Sequence, residues 1–215
     1  MALTIETIKS ELQKYSVDAD ARLCGLISTY VDLLLRWNSK TSLTAISEPI
    51  EIVRFHFGES LFAASKIPIR NGRLADVGSG AGFPGLPLQM LLPDLSSFLI
   101  EPNVKKATFL REVCRKLNLN RAQVLRFRVE DLPLSCGDFD FVTSRAVGDH
   151  GALLRWAKSR LSLNGSVVLW LGEEGAASVS RMPDWVWKVA IKIPLTQHRV
   201  ILSGSPVGSQ SDCST

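Results

Sequence analysis

The stretch Arg73-Leu-Ala-Asp76-Val-Gly78-Ser-Gly80-Ala-Gly82-Phe83-Pro84-Gly85 decides how this chain folds. Residues 73–77 form a short apolar-rich run with the character of a strand. Four glycines follow within eight residues, and the segment 86–92 after them has the length and pattern of a helix. Glycines let the backbone turn sharply and come close to a ligand. Loops of this kind lie outside the carboxyl ends of strands, where open α/β sheets bind their ligands. A ligand is therefore expected at this loop.

Working outward, further β-rich runs occur at 97–101, 123–128, 139–143, 166–171, 186–194 and 199–202, giving seven expected strands. Helix-length segments at 104–117 and 152–161 separate some of them, with Pro93 and Asn118 as stops. This alternation predicts an α/β fold: a mostly parallel sheet covered by helices on both faces. The last two runs leave no room for a crossover helix, so they are expected to pair as an antiparallel hairpin. Upstream, helical patterns at 5–15, 21–37 and 49–66 make residues 1–70 an all-helical extension before a ligand-binding domain at 71–203. The Ser- and Gly-rich tail, 204–215, is expected to be disordered.

The composition allows one sizeable core: 215 residues, 46% hydrophobic and 21% charged, as in ordinary globular domains. Its longest apolar runs fall well short of the ~20 residues of a membrane helix. The N-terminus has none of the features of a signal peptide, so a cytoplasmic monomer is expected. Cys24, Cys114, Cys136 and Cys213 are scattered without metal-ligand spacing, and no metal site is expected. The net charge is only +4, but Lys105, Lys106, Arg111, Arg115, Lys116, Arg121, Arg126 and Arg128 cluster against a single acid, Glu112. Such a segment is either a solvated face or a footprint for a polyanion such as RNA.

The glycine pattern admits two ligand classes. Gly80-x-Gly82-x-x-Gly85 satisfies the dinucleotide fingerprint, with Glu101 nearly twenty residues on. The register Asp76-x-Gly78-x-Gly80-x-Gly82 instead looks like motif I of Rossmann-like methyltransferases. An acid ahead of the glycines favours S-adenosylmethionine, whose sulfonium and amino groups are cationic, over a pyrophosphate. Glu101 is placed to accept the ribose hydroxyls of either ligand. Val129-Glu130-Asp131 falls where the adenine ring would lie. The fourth strand ends Thr143-Ser144-Arg145-Ala146 and lacks the Asn/Asp-Pro-Pro-aromatic element of enzymes that methylate exocyclic amines. A ring nitrogen such as guanine N7 is the expected acceptor, because its lone pair requires alignment rather than a strong base. Arg145 can bind a carboxylate, a phosphate or guanine O6. His56, among Arg54, Phe55 and Phe57, reads as a packing residue, and the five tryptophans as core.

Taken together, Leu35-Arg-Trp37-Asn38-x4-Leu43-Thr44, the glycine stretch, Lys105-Lys-x-x-Phe109-Leu110, Arg128-Val-Glu130 and Ser144-Arg145-Ala146 resemble the RsmG family, also called GidB. The resemblance covers about residues 20–202. It implies a Rossmann-like class I methyltransferase that uses S-adenosylmethionine to methylate N7 of a guanine in 16S ribosomal RNA, position 527 in reference numbering, on naked RNA or the small subunit. Carried over, the cofactor contacts fall on Gly78, Gly80, Phe83, Glu101, Val129, Glu130 and Arg145, with Arg145 the catalytic candidate. Two family cations are replaced, by Leu171 and Gln197, which is expected to weaken phosphate binding. The alternatives are an RNA-associated protein that keeps the cofactor but turns over weakly, and a nicotinamide- or flavin-dependent oxidoreductase.

Overall fold

A computed structural model of the chain describes residues 3–145 and 148–208; Ala146, Cys213 and the tail segment 209–215 lie outside them. The first helix, α1 (Ile5–Gln13), starts at Thr4, whose side chain accepts the Thr7 N–H. The second, α2 (Ala21–Asn38), starts at Asp20, which accepts the Leu23 N–H at 2.6 Å. The expected third helix is interrupted. A short α3 (Pro49–Ile52) runs into a π-helical turn, Val53–Gly58, and then into α4 (Glu59–Lys66). Such turns re-aim side chains and recur at functional sites, and this one carries His56.

The sheet follows: β1 (Gly72–Val77), α5 (Gly85–Leu91), β2 (Leu95–Ile100), α6 (Val104–Lys116), β3 (Ala122–Leu125), β4 (Phe139–Ser144), α7 (His150–Arg160), β5 (Leu161–Gly172), α8 (Glu173–Val179), β6 (Trp185–Trp187), β7 (Ile191–Lys192) and β8 (Arg199–Pro206). Its order is β3-β2-β1-β4-β5-β8-β6, with β7 also on β8. Pairings from β3 through β5 are parallel, whereas β8 pairs antiparallel with β5, β6 and β7. The reversal of strand order at β1 and β4 opens a crevice at their carboxyl ends.

Alternation along the strands feeds two cores, one on each face. Leu74, Leu99, Val168 and Trp170 join the N-terminal helices, α5 and Phe109 of α6. Ala75, Val77, Phe98, Ile100, Val167, Leu169 and Leu171 point the other way, toward Leu153 and Leu154 of α7 and Ala176 and Val179 of α8. The helical extension is therefore packed into one of the sheet's own cores. No helix of the described residues is long and apolar enough to cross a membrane.

Four sequence expectations change in detail. The third strand stops at Leu125 instead of residue 128, because its partner β2 ends at Ile100, and Arg126, Phe127 and Arg128 run on exposed. The expected 186–194 strand divides into β6 and β7 around exposed Lys188–Ala190, giving eight strands. Residues 173–179, with one Gly and one Ser, hid the short α8, which is held by burial of Ala176 and Val179. The last strand continues through Pro206, so residues 204–206 belong to the sheet instead of to a tail. Trp185 to Trp187 of β6 pair with that extension.

Leu171 is 8% exposed and sits inside the second core opposite Val200. A lysine there would bury an ammonium among aliphatic side chains. Leu171→Lys is expected to lower the unfolding free energy by roughly 2–4 kcal/mol, read by urea denaturation; a change below about 0.5 kcal/mol would place this side chain at the surface.

Candidate active site

A cleft of about 380 Å³ lies outside the carboxyl ends of β1, β2 and β4. Gly78, Ser79, Gly80, Ala81 and Phe83 form its floor, Glu101 and Lys106 one side, and Leu43, Thr44, His56 and Arg145 the other. Five of the expected site residues, Gly78, Gly80, Phe83, Glu101 and Arg145, are thus brought together. Val129 and Glu130 do not line it; they form a single 3-10 turn after β3, with Val129 half-buried and Glu130 exposed.

Positive φ at Gly78 (70°), Gly80 (58°) and Gly82 (90°) shapes the loop. Beside Gly80 there is also space, since an added Cβ would meet nothing nearer than the Gly78 carbonyl at 3.8 Å. The Glu101 carboxylate holds the loop in place, accepting from Gly80 N–H at 2.9 Å and Asn103 N–H at 2.8 Å. Its remaining lone pairs are free for hydroxyl donors.

Asp76 departs from the electrostatic expectation. It faces the core on the side of α5, fully buried, where its carboxylate accepts from Thr143 Oγ1 at 2.8 Å and Gly85 N–H at 3.2 Å. Burial raises its pKa to about 6, against the pull of these hydrogen bonds. Asp76 therefore clamps β1 to β4 and to the start of α5, and it does not line the cleft.

Phe83 lines the cleft from within the core. Its ring is 6% exposed and stacks on His56 at 4.7 Å and on Tyr30 at 5.5 Å, with Phe57 edge-on. Tyr30 donates to the Ala81 carbonyl at 2.6 Å, which ties α2 to the glycine loop. His56, a packing residue by its sequence context, lines the cleft and bonds two other lining residues. Arg145 donates through Nη2 to His56 Nδ1 at 2.7 Å and through Nη1 to the Phe55 carbonyl at 3.2 Å. His56 Nε2 lies 2.7 Å from Thr44 Oγ1. Burial, followed by the charges of Arg145 and Arg199, depresses the His56 pKa to about 3, so the ring is neutral. The only sequence signal for this role was its companion motif: Asn38 accepts the N–H groups of Leu43 and Thr44 and donates to the Thr44 carbonyl at 2.9 Å, holding that loop over His56.

Behind this cluster, fully buried Glu59 pairs with Arg199 at 2.8 Å, and burial raises its pKa despite that partner. Arg199 is therefore a structural cation that anchors β8 to α4. Leu171 lies in the core, so of the two departures at lost family cations only exposed Gln197 changes the surface.

A glycine loop at the switch point of this sheet, with an acid just after β2 and a cation just after β4, defines a Rossmann-like class I methyltransferase. Solved structures agree on the fold. A ribosomal protein L11 methylase from Lactobacillus delbrueckii subsp. bulgaricus has a TM-score of 0.59 at 14% identity, covering 71% of this chain and 79% of its own. An O-methyltransferase of neocarzinostatin biosynthesis, solved with S-adenosylmethionine, has a TM-score of 0.54 at 19% identity, covering 63% and 49%. The chain belongs to the rRNA small subunit methyltransferase G family, whose model matches residues 24–188. Ribosomal RNA small subunit methyltransferase G of Desulfitobacterium hafniense is 37% identical over 82% of this chain and 70% of its own length, and that of Halorhodospira halophila is 36% identical over 82% and 83%. The fold and family are those of S-adenosylmethionine-dependent enzymes, and the oxidoreductase alternative falls away.

The depressed His56 pKa has a testable consequence. A base whose folded pKa lies below its unfolded value of about 6.5 adds stability above pH 6.5, and that stability is lost as pH falls toward the folded value of about 3. The stability advantage of wild type over His56→Gln is expected to shrink from pH 7 to pH 4, by about 1 kcal/mol per pH unit on average. Denaturant titrations giving a constant difference across that range would contradict the buried neutral ring.

Proposed function

We propose that this chain transfers the methyl group of S-adenosylmethionine to N7 of a guanine in 16S ribosomal RNA. The observation that carries the choice of acceptor is the chemistry of the cleft. Among the described residues lining it, Glu101 is the only carboxylate, and two backbone N–H groups already bind it. At the tip of β4, Thr143 donates to Asp76 and Ser144 donates to the Val77 carbonyl, so neither hydroxyl serves as a base. Guanine N7 carries a lone pair and no proton, and such a site has only to align it.

The residues present fit the cofactor. Glu101 would accept the ribose hydroxyls, Gly78 and Gly80 would let the ligand approach the backbone, and Phe83 would offer a ring edge. Val129 and Glu130 would meet the adenine beyond the Glu101 side. Bound there, S-adenosylmethionine supplies an electrophilic methyl group on a cationic sulfur. Arg145, fixed by His56 and Phe55, keeps donors to spare at the end of β4 and would orient cofactor and guanine.

The small ribosomal subunit, or its RNA, is the proposed partner. Seven of the eight basic side chains from Lys105 to Arg128 are exposed, and Lys106 reaches the cleft; none of the eight forms an ion pair among the described residues. Exposed Phe127 stands between Arg126 and Arg128, an aromatic face flanked by cations beside the site. This arrangement favours an RNA footprint over a merely solvated face.

Methyl transfer from labelled S-adenosylmethionine to small subunits lacking the modification should yield N7-methylguanosine by mass spectrometry. Arg145→Ala should slow it on the order of 100-fold. A different methylated nucleoside, or unimpaired Arg145→Ala, would overturn the assignment. RNA affinity should also drop at least tenfold, about, between 50 and 200 mM salt; a salt-independent affinity would remove the basic segment from the interface.

A further inference from the structure

The directions of the hydrogen bonds joining Arg145, His56 and Thr44 can be deduced from what each group can donate. A guanidinium has no acceptor, so the 2.7 Å contact makes His56 Nδ1 the acceptor. The single proton of the neutral ring then resides on Nε2, which donates to Thr44 Oγ1 at 2.7 Å. Thr44 Oγ1 accepts a second bond, from Ile46 N–H at 3.1 Å. Both acceptor positions of the hydroxyl are thereby filled, and its own proton has no acceptor among the described residues. Thr44 lines the cleft, so the chain Arg145 to His56 to Thr44 ends there in an O–H donor backed by a half-buried cation.

We propose that Thr44 is a cofactor-positioning residue whose hydroxyl donates to the carboxylate at the amino-acid end of S-adenosylmethionine. Hydrogen bonds in series polarise one another, and a chain begun by a guanidinium matches an anionic acceptor best. The two sides of the cleft also differ in kind. Glu101, with Lys106 near it, presents acceptor oxygens suited to a ribose diol, whereas Thr44 and Arg145 present donors suited to a carboxylate. Asp76, in the core, takes its hydrogen bonds from Thr143 and Gly85 and none from Thr44 or Arg145. Asn38 holds the Thr44 backbone, which fixes the hydroxyl before any ligand arrives.

The proposal rests on the cofactor occupying this cleft, and the test separates the two claims. Calorimetry on the full-length protein would compare S-adenosylhomocysteine with 5′-methylthioadenosine, which keeps the adenine, ribose and thioether but lacks the amino-acid chain. Thr44→Val should weaken S-adenosylhomocysteine by about tenfold or more and leave 5′-methylthioadenosine within about twofold. Thr44→Ser, which restores the hydroxyl, should bind both as wild type does. Unchanged S-adenosylhomocysteine affinity in Thr44→Val, equal weakening of both ligands, or a Thr44→Ser as weak as Thr44→Val would overturn the proposal. Failure of the wild-type protein to bind S-adenosylhomocysteine would instead overturn the cofactor assignment beneath it.

Discussion

The hydrogen bond from Arg145 to His56 is the contact on which the rest of the site depends, because it joins the two parts of the chain that make the cleft. Arg145 follows β4 of the sheet, and His56 lies on the π turn of the N-terminal helices. The bond fixes which ring nitrogen carries the proton. It also holds the imidazole against Phe83, and through Phe83 against Tyr30 and the Ala81 carbonyl. The glycine loop is thus braced from below by aromatic rings and from the side by Glu101. A ligand loop built from glycines would otherwise lose much backbone freedom on binding.

Such bracing carries an electrostatic cost that the fold offsets locally. Glu59 is fully buried, and leaving it unpaired would be strongly destabilising; Arg199 from the far end of the chain supplies its partner, with Arg145 contributing a second positive field. Asp76 is compensated in the same way by Thr143 and Gly85. In each case a buried acid ties distant segments together. Position 59 holds α4 to β8, and position 76 holds β1 to β4 and α5. Neither contacts the ligand side of the cleft, yet both determine where its donors and acceptors stand.

The glycine loop, the parallel strands from β1 to β5 and the position of Glu101 were legible in the sequence, since each rests on local pattern: period-two apolar runs and clustered glycines. The role of His56 was not, because it depends on a partner 89 residues away and on a π turn that shifts the helix register. The place of Asp76 was hidden for a related reason: before the glycines it read as a favourable charge near a cationic ligand, but strand alternation turns its side chain onto the face covered by α5, where Thr143 and Gly85 bind it. Likewise, Leu171 read as a lost surface cation until the pairing of β5 with β8 placed it in the core. Local pattern located the elements, and the facing of single side chains came only from tertiary packing.

The resulting cleft is polar at both sides, and among the described residues that line it Glu101 is the only carboxylate, which suits a reaction limited by alignment. Glu101 is its carboxylate acceptor, with the Lys106 ammonium on the same side, and the donors on the other side are Thr44 and Arg145, an arrangement that favours a cofactor with its diol at Glu101 and its carboxylate at Thr44 and Arg145. A crystal structure of the complex with S-adenosylhomocysteine tests this most directly. The expected result is the ribose on Glu101 and the carboxylate within hydrogen-bond reach of Thr44 and Arg145. The reverse orientation, or a ligand bound away from the glycine loop, would contradict it.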